Sequence, residues 1–114
     1  MNVKVITGVL SLAGALVFSP LAVAADADAA QALAKKEGCL KCHAVDKKKE
    51  AKSLKEISAK YKGKPDAEAK ILSQMTSGDK VKLEDGTEEE HKIIKTKDKA
   101  EINNLIGWIL SLGK

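Results

Sequence analysis

Arginine is absent from this chain of 114 residues; all 20 basic side chains are lysines. Base-edge recognition in nucleic acids leans on the planar guanidinium, and 20 lysines against 16 acids is a modest excess. Nucleic-acid binding is therefore not expected. Aromatics are almost as scarce, with one Phe, one Tyr and one Trp. A small chain with so few large rings builds a marginal core unless something else fills it. No apolar run reaches the roughly 20 residues of a membrane-spanning helix. The sequence has no internal repeat, and nothing in it reads as a strand beyond a short turn near Val81 to Leu83.

What is present begins with an address. Lys4 precedes an apolar run from Val5 to Phe18, Ser19-Pro20 punctuates it, and Ala22-Val23-Ala24 forms an A-x-A cleavage site. This is the pattern of a secretory signal peptide, residues 1–24, cut after Ala24; an uncleaved anchor is the alternative. Export points to the periplasm of a Gram-negative bacterium, with no stable membrane insertion after cleavage. Residues 25–114 then form one small domain. Removing Lys4 from the 20 lysines leaves 19 against the 16 acids. Phe18 leaves with the signal, so Tyr61 and Trp108 are the remaining aromatics.

The domain reads as helices joined by polar loops. Asp26 or Asp28 caps a first helix to about Glu37, with Ala30, Leu33 and Ala34 on its apolar face and Gly38 ending it. Ser53 and Glu56 make a capping box for a second helix to about Lys62. Pro65 or Asp66 opens a third, with Ile71, Leu72 and Met75 as its buried stripe before Ser77-Gly78. Residues 79–97 lack periodicity and carry the Asp85-Gly86 turn signal. Ile102, Leu105, Ile106, Ile109 and Leu110 define an amphipathic last helix from about Lys97 to Leu112.

Between the first two helices lies Cys39-Leu40-Lys41-Cys42-His43, a C-x-x-C-H motif and the attachment signature for c-type haem. Two thiols three positions apart can add to the vinyl groups along one porphyrin edge, and the next imidazole can ligate the iron from the proximal side. A haem c would also supply the apolar bulk that the composition lacks. Two other chemistries compete. A dithiol oxidoreductase places its motif in a βαβ setting, which is missing. A zinc site needs four ligands, and Cys39, Cys42, His43 and His91 just suffice in number.

Gly38 to Asp46, GCLKCHAVD, resembles the haem-binding segment of small bacterial class I cytochromes c. Leu54 to Lys62 is similar to their second helix, and Asn104 to Leu112, NLIGWILSL, to their last one with its aromatic. The resemblance implies an all-α fold of about four helices around one covalent haem, the first and last helices crossing. It implies that Trp108 packs against the haem and that Tyr61 can reach a propionate. The departures are specific. The family's Gly-Pro after the motif, whose carbonyl accepts from the proximal imidazole, corresponds to Ala51-Lys52. Ala34 stands where an aromatic is common. The family's distal methionine comes from the loop before the last helix, whereas Met75 lies on the third helix at a core position. His91 falls in that loop, 17 residues before Trp108, the interval that the family leaves.

These residues lead to His43 as proximal and His91 as distal iron ligand, with Met75 as the alternative. The expected role is a single-electron carrier of low potential, not an enzyme. Lys35, Lys36, Lys41 and Lys47 to Lys49 would form a positive collar that orients redox partner proteins with an acidic docking surface. A haem-based binder or sensor of small ligands, with a displaceable distal residue, is the alternative function.

Overall fold

The computed structural model describes residues 25–113, together with Gly8 and Gly14. The predicted signal segment thus lies outside the described residues, apart from those two glycines. Four helices carry the domain: α1 (Ala27–Lys36), α2 (Leu54–Tyr61), α3 (Ala67–Ser77) and α4 (Lys99–Ser111). A single 3₁₀ turn, Cys39–Lys41, follows α1. No described helix is long and apolar enough to cross a membrane.

Each helix starts where the sequence supplies a cap or a break. The Asp26 carboxylate accepts from the Ala29 N–H at 3.1 Å, and Asp98 accepts from Ala100 and Glu101 at 2.9 and 3.3 Å. Ser53 and Glu56 exchange both bonds of the predicted capping box, at 3.0 and 3.1 Å. These contacts satisfy N–H groups that a helix start leaves without intrahelical partners.

The first and last helices do cross. Ala30 and Ala34 of α1 have no exposed surface, so the small residue at position 34 lets α4 come close instead of leaving a gap. Asn104 fastens the crossing: its side-chain oxygen accepts from the Asp26 N–H at 2.8 Å, and its amide donates to the Asp26 carbonyl at 2.9 Å. On the other side of α4, Ser58 of α2 donates to the Leu110 carbonyl at 2.9 Å and accepts from the Gly113 N–H at 2.8 Å. The core joins Leu33, Leu54, Ile71, Met75, Ile94, Leu105, Ile106, Trp108 and Ile109.

Two expectations need correction. Leu72 is 39% exposed, and Ala67 takes its place beside Ile71 and Met75 on the buried side of α3. A one-position difference on a helix is a rotation of about 100°, enough to carry a side chain off the face. Residues 79–97 are also not wholly irregular. An antiparallel hairpin pairs β1 (Lys80–Lys82) with β2 (Glu88–Glu90), setting Lys80 opposite Glu90 and Lys82 opposite Glu88. Opposite charges face each other across the strands, and the hydrophobic alternation that marks a strand in sequence is missing.

Candidate functional site

Gly38 ends α1 with a φ of 79°, in the left-handed region where other residues are strained. The chain then turns through Cys39–Lys41, and Cys42 and His43 close back on the Cys39 carbonyl at 3.4 and 3.0 Å. Both thiols are thereby brought to one local turn. Burial pushes the pKa of Cys39 up; burial and the adjoining Glu50 carboxylate, 3.5 Å from its Sγ, push that of Cys42 up. Reactive dithiols need the opposite shift. Neither thiol is shifted toward its thiolate form.

His43 is oriented by the loop that follows it. Ala51 N–H donates to the Cys42 carbonyl at 3.1 Å, and Leu54 N–H to the Ala44 carbonyl at 2.9 Å. This closed loop delivers the Lys52 carbonyl to Nδ1 of His43 at 2.6 Å. The bond is made when Nδ1 carries the proton, leaving Nε2 as the free ligand atom. Of the two carbonyls expected to replace the missing proline, Lys52 occupies the position.

His91 arrives from the far side of the chain. Its N–H donates to the Asp79 carbonyl at 2.9 Å, and three residues later buried Ile94 donates to the Met75 carbonyl at 2.9 Å. Nδ1 of His91 lies 3.0 Å from the Lys92 carbonyl, and the Gln74 backbone is a second hydrogen-bonding neighbour of the ring. The side chain is half-buried, and burial first of all lowers its pKa, favouring the neutral form that a metal requires.

The two imidazole centroids are 6.3 Å apart, with their planes at 42°. A metal–imidazole bond of about 2 Å on each side, plus roughly 1 Å from nitrogen to ring centre, gives a separation of about 6 Å. The spacing therefore suits two imidazoles that share one iron. No group of three or more His, Cys, Asp or Glu side chains is gathered as a metal site among the described residues, so the four-ligand zinc arrangement is not assembled.

Met75 is only 8% exposed and packs within the core. Trp108 is buried in the same cluster, while Tyr61 is partly buried at its margin with the Lys60 and Lys64 ammonium groups 5.4 and 5.9 Å from its ring. The lysines of the predicted collar are exposed, but the collar is not uniformly positive, because Glu50 and Glu89 lie beside Cys42. A surface cleft of about 550 Å³ opens between the hairpin and Lys49-Glu50. Its lining is charged and contains neither histidine nor cysteine, which suits water rather than an apolar macrocycle.

Sequence reasoning missed Glu37. It is buried, and its carboxylate takes backbone N–H groups from residues 95 and 96. An acid at the negative end of a helix was the available signal.

The model of the cytochrome c family matches residues 27–113. Cytochrome c-552 of Nitrosomonas europaea is 40% identical over 65 residues, 57% of this chain and 63% of that protein. Cytochrome c-551 of Pseudomonas aeruginosa is 36% identical over 58 residues, 51% of this chain and 56% of that protein. The match thus spans less than two thirds of either relative's length. Among solved structures, the class 1 cytochrome MtoD from Sideroxydans lithotrophicus ES-1 superposes with a TM-score of 0.76 at 52% identity, covering 80% of this chain and all of that one.

Proposed function

The chain belongs to the cytochrome c family, as a class I monohaem member, and from that premise we propose that it is an exported single-electron carrier of low potential with His43 and His91 as the two axial ligands. One haem c, bound through the single C-x-x-C-H motif, supplies the redox chemistry. What the chain itself contributes is attachment, ligation and presentation.

Cys39 and Cys42 hold one edge of the macrocycle through thioethers. His43 donates from Nδ1 to the Lys52 carbonyl, which fixes the ring and makes Nε2 a stronger donor to iron. The Lys92 carbonyl serves His91 in the same way. Imidazole in place of a thioether stabilises ferric iron and lowers the potential. Two nitrogen ligands also leave no coordination position for substrate, as befits a carrier rather than an enzyme. Trp108 would offer its ring to the macrocycle, and the Tyr61 hydroxyl would be a donor for a propionate. The A-x-A segment at Ala22-Val23-Ala24 directs export to the periplasm. Lys35, Lys36, Lys41 and Lys47 to Lys49 orient acidic partner surfaces toward the thioether edge.

The 6.3 Å pairing of the two imidazoles carries this reading. Absorption spectra of holoprotein from wild type, His91→Ala and Met75→Ala test it. Wild type is expected to be low-spin without the weak methionine–iron band at the red end. His91→Ala should turn high-spin and bind carbon monoxide, whereas Met75→Ala should keep the wild-type spectrum. Loss of low-spin character in Met75→Ala alone would overturn the assignment. Ready binding of carbon monoxide by wild type would favour a small-ligand binder.

A further inference from the structure

Glu37 goes against two local preferences. It closes α1 at the negative end of the helix dipole, where the preceding Lys35 and Lys36 are favoured and a carboxylate is not. It is also only 5% exposed, so it has given up most of its hydration. A buried carboxylate persists where specific donors replace that water. Here the donors come from far along the chain. One carboxylate oxygen accepts from the Lys95 N–H at 2.7 Å and the other from the Thr96 N–H at 3.3 Å.

Those partners belong to the strap that carries His91. Its remaining backbone ties, His91 N–H to the Asp79 carbonyl and Ile94 N–H to the Met75 carbonyl, both lead to α3 or just beyond it. Glu37 is the tie that leads the other way, to the turn bearing Cys39 two residues later. Lys92 of the same strap lies against that turn, its Nζ 2.6 Å from where a Cβ on Gly38 would stand.

We infer that Glu37 is the positioning residue of the distal ligand, a carboxylate latch that holds the His91 strap in register with the haem-attachment turn. This rests on the bis-histidine reading above. A carboxylate suits the task because two acceptor oxygens meet two successive N–H donors. An amide of the same shape offers one oxygen and sets an NH₂ group against the other N–H. With the latch gone, the strap keeps its ties toward α3 and the Thr96 hydroxyl's bond to Glu101 of α4 but loses the two bonds to the attachment turn, and the imidazole leaves the iron more often.

The test uses holoprotein as wild type, Glu37→Gln, His91→Ala and the double variant, with carbon monoxide capture by the ferrous forms and amide hydrogen exchange as readouts. Glu37→Gln should capture carbon monoxide about tenfold faster than wild type, as expected when one charge-assisted hydrogen bond is lost. In the His91→Ala background the same change should leave capture unaltered, because the position is already open. The Lys95 and Thr96 amides should lose protection about tenfold while that of Ile94 is retained. Capture by Glu37→Gln at the wild-type rate, or equal acceleration in both backgrounds, would overturn the latch and leave the ligand assignment standing. Wild type capturing as fast as His91→Ala would overturn the assignment itself, and the latch with it.

Discussion

At the scale of residues, two candidates for the distal side are separated by surroundings rather than by chemistry. Met75 and His91 can both bind iron, but Met75 packs among apolar side chains in α3, while His91 stands across from His43 with its Nδ1 occupied. Met75→Ala should accordingly act as a core truncation, costing about 2–5 kcal/mol in denaturant unfolding without altering the haem spectrum. The core placement of Met75 could be read from its i+4 spacing to Ile71, while the loop position of His91 gave only the proposal that it faces His43 across the haem. For Glu37 the sequence offered only an acid misplaced at a helix end, not the partners it meets. Its partners are backbone N–H groups 58 and 59 positions away, and a backbone group has no sequence signature.

At the scale of elements, the caps decide how the site is held. Ser53 is 1% exposed and starts α2 directly after Lys52, whose carbonyl orients His43. Ser53→Ala should destabilise the protein by about 1 kcal/mol. Its sharper effect should be faster amide exchange through the first turn of α2, measured by NMR. All four helices were legible because their periodicity and caps are local. The hairpin was not, because Lys80, Lys82, Glu88 and Glu90 face each other as charged side chains and leave Val81 as the one apolar residue in either strand. The side of α3 that buries Ala67 in preference to Leu72 was likewise set by what packs on it, chiefly α4.

At the scale of the whole molecule, the scarcity of aromatics and the C-x-x-C-H motif meet in one arrangement. A domain with Tyr61 and Trp108 as its large rings packs a small apolar core, and one haem c would complete its interior on the reading proposed above. Charge is where composition was least informative, since the lysines flank the attachment turn but Glu50 and Glu89 stand beside Cys42. If the lysines steer docking, electron transfer with an acidic partner should slow markedly between low and physiological salt, where the screening length falls to about 8 Å. Stopped-flow rates for Lys47→Glu and Lys48→Glu should show a smaller salt dependence. The central claim remains the pair of imidazoles on one iron. Near-infrared magnetic circular dichroism of the ferric holoprotein reads that pair directly from its charge-transfer band. A band characteristic of two imidazoles is predicted; one characteristic of imidazole with thioether would contradict it.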